Sequence, residues 1–106
     1  MKPNLPFLLN VEILALRQET VQDWIKRNGP LMDDLIFQAA SVLLDKPELD
    51  AVTILELHSE KSTFPFVKLE REDLVFALET NINNWVNRER YERAALSRDL
   101  LARINK

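Results

Sequence analysis

Val11, Leu14, Ala15, Val21, Trp24 and Ile25 recur at intervals of three and four residues, the spacing that lines one face of an α-helix. Asn10 can cap the start of such a helix and Asn28-Gly29-Pro30 supplies a stop, which predicts a helix over residues 10–28. The same stretch supports a second reading. Phe7, Leu9, Val11, Ile13 and Ala15 alternate strictly, as on a strand, and Thr20 with Asp23 can open a shorter helix after it. The pattern alone leaves both open. Pro30 suits the first turn of a further helix over residues 30–45, where Leu31, Leu35, Ile36, Ala39, Leu43 and Leu44 form one stripe and Asp33 and Asp34 favour the amino end.

Lys46 to Asp50 reads as a connection, and Ala51 to His58 follows with the β-branched residues that strands favour. The polar stretch Ser59 to Thr63 separates it from Phe64-Pro65-Phe66-Val67-Lys68-Leu69, which predicts a β-hairpin with Pro65 on an edge strand. Two strands alone are marginal in water, so the hairpin must lean on the helices. From Glu72 to Lys106 the helical pattern resumes, broken only near Asn87-Arg88-Glu89. Leu74, Val75, Leu78, Ile82, Trp85 and Val86 share one side of the first helix, with Glu79 at its edge; Tyr91, Ala94, Ala95, Leu101 and Ala102 share a narrow face of the last, with Arg98 in its middle. A guanidinium among alanines needs an acceptor. If the helices fold back near residue 88, Glu79 meets Arg98, Ile82 meets Ala95 and Val86 meets Tyr91, so Glu79 and Arg98 are expected to form a structural ion pair. The expected fold is α+β and mainly α, a single domain: two N-terminal helices and a β-hairpin in residues 1–70, then a C-terminal antiparallel helical hairpin in residues 71–106.

Composition narrows the chemistry. Hydrophobic residues at 46% and charged residues at 29% describe a chain able to bury a core, and a net charge of -3 carries no overall basic excess. The charge is uneven: residues 86–106 hold six basic and three acidic side chains. Those arginines spread around their helices and form no basic stripe, which argues against direct nucleic-acid binding. With no cysteine and one histidine there is no disulfide and no Cys/His zinc site, and a single glycine excludes phosphate-cradling loops. His58 is the one general base near neutral pH; on a strand it and Ser59 point to opposite faces, so no nucleophile–base pair forms and no catalytic residue is assigned. Asp33-Asp34, or Glu89 with Glu92, are the helical carboxylates a magnesium enzyme would use, but Glu89 and Glu92 sit among Arg88, Arg90 and Arg93 at four-residue ion-pair spacing. No metal or cofactor is expected. No run reaches the roughly 18 apolar residues of a membrane span, and the apolar start is interrupted by Asn10 and Glu12 without a cleavage site, so a bacterial-type cytoplasmic location is expected.

Leu78-Glu79, Ile82, Val86, Tyr91-Glu92, Ala94-Ala95, Arg98-Asp99, Leu101 and Ile104 together resemble the UvrB/UvrC motif (UVR motif), a short antiparallel helical hairpin of bacterial excision-repair proteins and of some Clp-type chaperone and adaptor proteins. The core of the resemblance is Tyr91-Glu92-Arg93-Ala94-Ala95-Leu96-Ser97-Arg98-Asp99, and it is confined to residues 74–106. Val86 stands where the family usually has alanine, and Ser97 where it usually has an aliphatic residue. The resemblance implies association with another such hairpin, in the same or a different protein, and no catalysis. It implies that Tyr91, Ala94, Ala95 and Leu101 pack the hairpin, that Arg98 and Glu92 anchor it and that Asp99 lies at the rim. The same residues could instead close the protein's own core. The expected function is a non-catalytic interaction module, an adaptor, inhibitor or assembly factor, whose partner is another protein or itself as a homodimer. Phe64 and Phe66 on the edge strand offer a second docking patch. A nucleic-acid-associated accessory protein of DNA repair and a small enzyme using helical carboxylates are the competing classes.

Overall fold

Asn10 divides the amino-terminal pattern in two. In the structure, a computed structural model in which residues 5–104 are described, strand β1 (Phe7–Asn10) runs directly into helix α1 (Val11–Leu16). Asn10 Oδ1 accepts the Glu12 and Ile13 amides at 2.8 and 3.3 Å, so the last strand residue is also the helix cap. The continuous helix expected over residues 10–28 does not form. Gln18 adopts a left-handed φ of 55°, and the Glu19 and Gln18 amides close back on the Leu14 and Ala15 carbonyls at 2.9 and 3.1 Å, a Schellman turn that satisfies the end of α1. Thr20 then opens α2 (Val21–Arg27) through a capping box: Thr20 Oγ1 accepts the Asp23 amide at 3.0 Å and Asp23 Oδ2 accepts the Thr20 amide at 3.2 Å. Hydrogen bonding by the Thr20 side chain, then by its amide, holds the Asp23 carboxyl below its usual pKa. The alternation reading of the sequence therefore holds as far as Asn10, and the Thr20–Asp23 helix start holds as read.

Helix α3 (Gly29–Asp45) begins with Pro30 in its first turn and buries Leu35, Ala39, Ala40 and Leu43. Strands β2 (Ala51–His58) and β3 (Thr63–Glu70) form the expected antiparallel hairpin, with Pro65 on the outer strand. The sheet is larger than the sequence reading allowed. β1 lies parallel to β2, with Phe7 opposite Leu55 and Leu9 opposite Leu57, giving the order β1-β2-β3. Parallel strands need a long crossover, and α1, α2 and α3 provide it. Three short or long helices thus precede the hairpin where two were expected. A register irregularity at Ile54 turns two successive side chains, Ile54 and Leu55, into the core. α3 covers this face of the sheet, while Phe7 packs on Trp24 of α2 with ring centroids 5.4 Å apart.

Arg71 ties the sheet to the helices. Its guanidinium donates to the carbonyls of Leu43, Lys46 and Leu49 at 2.7 to 2.9 Å, occupying orphan acceptors at the end of α3 and in the loop beyond. A 3-10 turn over Arg71–Asp73 leads into α4 (Leu74–Asn87), and α5 (Tyr91–Ile104) follows. The break near Asn87-Arg88-Glu89 is where the sequence placed it: Glu89 has φ 60°, and the Arg90 and Glu89 amides return to the Trp85 and Val86 carbonyls at 2.8 and 2.9 Å.

Candidate functional site

The hairpin α4–α5 docks on α3 through a polar seam. The Asp33 carboxylate, 5% exposed, receives Arg88 Nη1 at 2.5 Å and Asn84 Nδ2 at 3.1 Å, while Asn81 Nδ2 donates to the Asp33 carbonyl at 2.9 Å. Asn81 Oδ1 in turn accepts Trp85 Nε1 at 3.1 Å and the Ser97 hydroxyl at 2.5 Å. Asn81 and Ser97 are fully buried and among the described residues no buried side-chain polar atom lacks a partner, so the seam is a closed network of the kind that fixes one packing arrangement. Gly29 makes room for it, because a Cβ there would meet Arg88 Nη2 at 2.8 Å. The guanidinium groups of Arg88 and Arg93 lie 5.2 and 5.1 Å from the Trp85 ring centre, Arg93 also pairs with Asp34, and Arg103 reaches Asp45 at 3.2 Å. Three of the hairpin's arginines are thereby engaged by acids of α3, and Asp33 and Asp34 are engaged by arginine.

Sequence reasoning missed this seam. The signal was present in Asn81 and Asn84 at helical spacing: asparagine is a poor helix-interior residue, and two on one face ask for buried partners.

The ion pair expected between Glu79 and Arg98 does not form. Both side chains are exposed, and no Arg98 nitrogen lies within 4.0 Å of a Glu79 carboxylate oxygen. The reason is the rotation of α5. Its buried face is Ala94, Ser97 and Leu100, with Leu101 and Ile104 half-buried, because the Ser97 hydroxyl is drawn in to Asn81. Of the residues assigned to the hairpin, Ala94 is buried and Leu101 half-buried, whereas Tyr91, Glu92, Ala95, Arg98 and Asp99 face solvent. Arg98→Ala is accordingly expected to change unfolding free energy by no more than about 0.5 kcal/mol. A urea titration giving a loss of several kcal/mol would restore the buried pair.

Helical geometry shows where the exposed residues point. On α4, taking about 100° per residue, Val75, Glu79, Ile82 and Val86 lie roughly 150° round the axis from Asn81, Asn84 and Arg88, which bind α3. On α5, Tyr91, Ala95, Arg98 and Ala102 lie roughly 150° from Arg93 and Arg103, which also bind α3. Both sets therefore line the outer seam of the hairpin, on the side away from α3. Val75 is 40% exposed, Val86 37% and Tyr91 59%.

Elsewhere, His58 Nδ1 bonds Thr63 Oγ1 at 2.7 Å across the β-hairpin and the Ser59 hydroxyl bonds the Ser62 carbonyl, so these two side chains have separate structural partners. Glu70, Glu72 and Asp73 bring carboxylate oxygens within 4.8 Å of one another, all exposed, an arrangement common without an ion. No helix among the described residues is long and apolar enough to cross a membrane. No family model matches the chain, and no curated protein or solved structure shows significant similarity to it.

Proposed function

We propose that this protein is a non-catalytic interaction module of the bacterial cytoplasm, an adaptor, inhibitor or assembly factor, that binds another protein or a second copy of itself through the outer seam of the α4–α5 hairpin, as the resemblance to the UVR motif implies. The observation that carries this reading is the strip of Val75, Val86 and Tyr91 left exposed beside half-buried Ile82 on the side away from α3. Glu79 and Arg98 flank the strip, where charges set register and exclude wrong partners. Exposed Ala95 and Ala102 keep the surface low enough for a second helix to approach closely.

Val86→Glu and Ala95→Glu test it. Each places a carboxylate in the proposed contact but at a position exposed in the monomer, so melting temperature should stay unchanged while association weakens at least about tenfold, since an unpaired buried charge is penalised by more than one such step. Sedimentation of the purified chain, alone and with whatever partner it captures stoichiometrically, reads the association. Variants that associate as the parent does would overturn the assignment to this face.

A further inference from the structure

Helix α5 is fastened more weakly than the surface it covers. Its buried side chains are Ala94, Ser97 and Leu100, with Leu101 and Ile104 half-buried against the edge of the core, and its ion pairs to α3 are Arg93–Asp34 and Arg103–Asp45, whose side chains are 31% to 68% exposed. Solvent-exposed pairs of this kind hold little and are screened by salt. The floor beneath α5 is assembled largely without it: Asp33 of α3 binds Asn81 and Asn84 of α4, with Arg88 at the cap of α4 as a third donor, and these bonds fix Asn81 beside Leu78 and Trp85. The connection is short and strained. Glu89 holds a left-handed φ of 60°, a conformation that disfavours side chains larger than glycine. Residues 74–104 contain neither glycine nor proline, and Arg88-Glu89-Arg90 are good helix formers, so the break there is one of apolar pattern and no helix-breaking residue bars a continuous helix.

We propose that α5 exchanges between two copies of the chain. The turn at 88–90 straightens, α4 and α5 fuse into one helix about 46 Å long, and α5 of each copy seats in the α3–α4 groove of the other. The occupant is set by the groove's own chemistry: it requires a small residue, a hydroxyl for Asn81 Oδ1 and two cations for Asp34 and Asp45, which α5 supplies as Ala94, Ser97, Arg93 and Arg103 at the right spacing. The contacts of α5 with α3 and α4 are remade between copies, the turn's amide bonds to the Trp85 and Val86 carbonyls give way to ordinary helix bonds, and the Glu89 strain is released. Short strained hinges favour exchange of this kind, opposed by the entropy of association, so protein concentration drives it.

The chain has no cysteine, so Asp34→Cys with Arg93→Cys makes a unique pair at an exposed contact. The double variant is equilibrated at high concentration and moderate salt, diluted, and treated at once with a short bis-maleimide. The exchanged form gives a covalent dimer on a denaturing gel; the closed form gives an internally linked monomer. Glu89→Gly added to this background should lower the dimerisation constant about tenfold, because glycine accepts φ 60° freely and weakens the continuous helix. Circular dichroism checks that both variants are folded. A chain that sediments as a monomer up to its solubility limit, or Glu89→Gly dimerising as strongly as its parent, overturns the exchange. A solution dimer whose cross-link stays within each chain overturns it too, and favours association through the outer seam instead.

Discussion

Replacing Asp33 with alanine is expected to lower the unfolding free energy by about 3 kcal/mol, the lower end of the range for removing one partner of a buried ion pair, since Arg88 keeps 32% of its side chain in solvent. The magnitude follows from what the substitution strands. Arg88 loses the acceptor of its guanidinium, Asn84 loses the acceptor of its amide, and both are partly covered by α3. A polar group left buried without a partner forfeits its full desolvation energy, not merely the net worth of one hydrogen bond. Asp34→Ala is the control: its partner Arg93 is half exposed and stays hydrated, so the loss there should be no more than about 1 kcal/mol. Urea unfolding of the two variants side by side decides the matter. Equal and small losses would mean that the seam contributes packing register but no stability.

Leu78→Ala should come close to the same loss, about 3–4 kcal/mol, for a different reason. Leu78 is fully buried on α4 and belongs to the core that α3 and the sheet share. Truncation removes its apolar transfer energy and leaves a void that the neighbouring Asn81 cannot fill, since that side chain is committed to Asp33, Trp85 and Ser97. The consequence should be regional as well as global. Hydrogen exchange is expected to quicken first in α5, whose buried contacts are few, while the β2 amides keep the protection of full unfolding. Uniform acceleration along the chain would contradict this ordering.

The elements that were legible in the sequence are those whose causes are local. Pro30 at a helix start, β-branched Val52-Thr53-Ile54, Pro65 on an outer strand and the interruption at Asn87-Arg88-Glu89 each act within a few residues, and each is found where it was read. The Thr20–Asp23 box was legible as one of two alternatives, for the same reason. The amino-terminal apolar run was not, because residues 7–15 fit a strand and a helix equally well by period. What decides between them is a partner more than forty residues away, Leu55 to His58 of β2, which claims residues 7–10 and leaves the rest to Asn10's cap.

The hairpin shows the division most plainly. By itself the sequence determined that residues 74–104 make two helices with a break between them and that the second is rich in small and charged side chains. Only the tertiary structure decided which side of the second helix faces in. An alanine is equally at home on either side, so Ala94, Ala95 and Ala102 leave the rotation undetermined, and reading them as one buried face brought Arg98 inward with them. The deciding energy is the satisfaction of buried polar groups: the Ser97 hydroxyl, once buried, requires an acceptor, Asn81 Oδ1 supplies it beside the Trp85 N–H, and that bond turns Arg98, Ala95 and Tyr91 outward. Local pattern fixes what each segment can be, whereas polar groups brought together from α3, α4 and α5 fix how the segments meet, because their partners are defined only once the chain has folded.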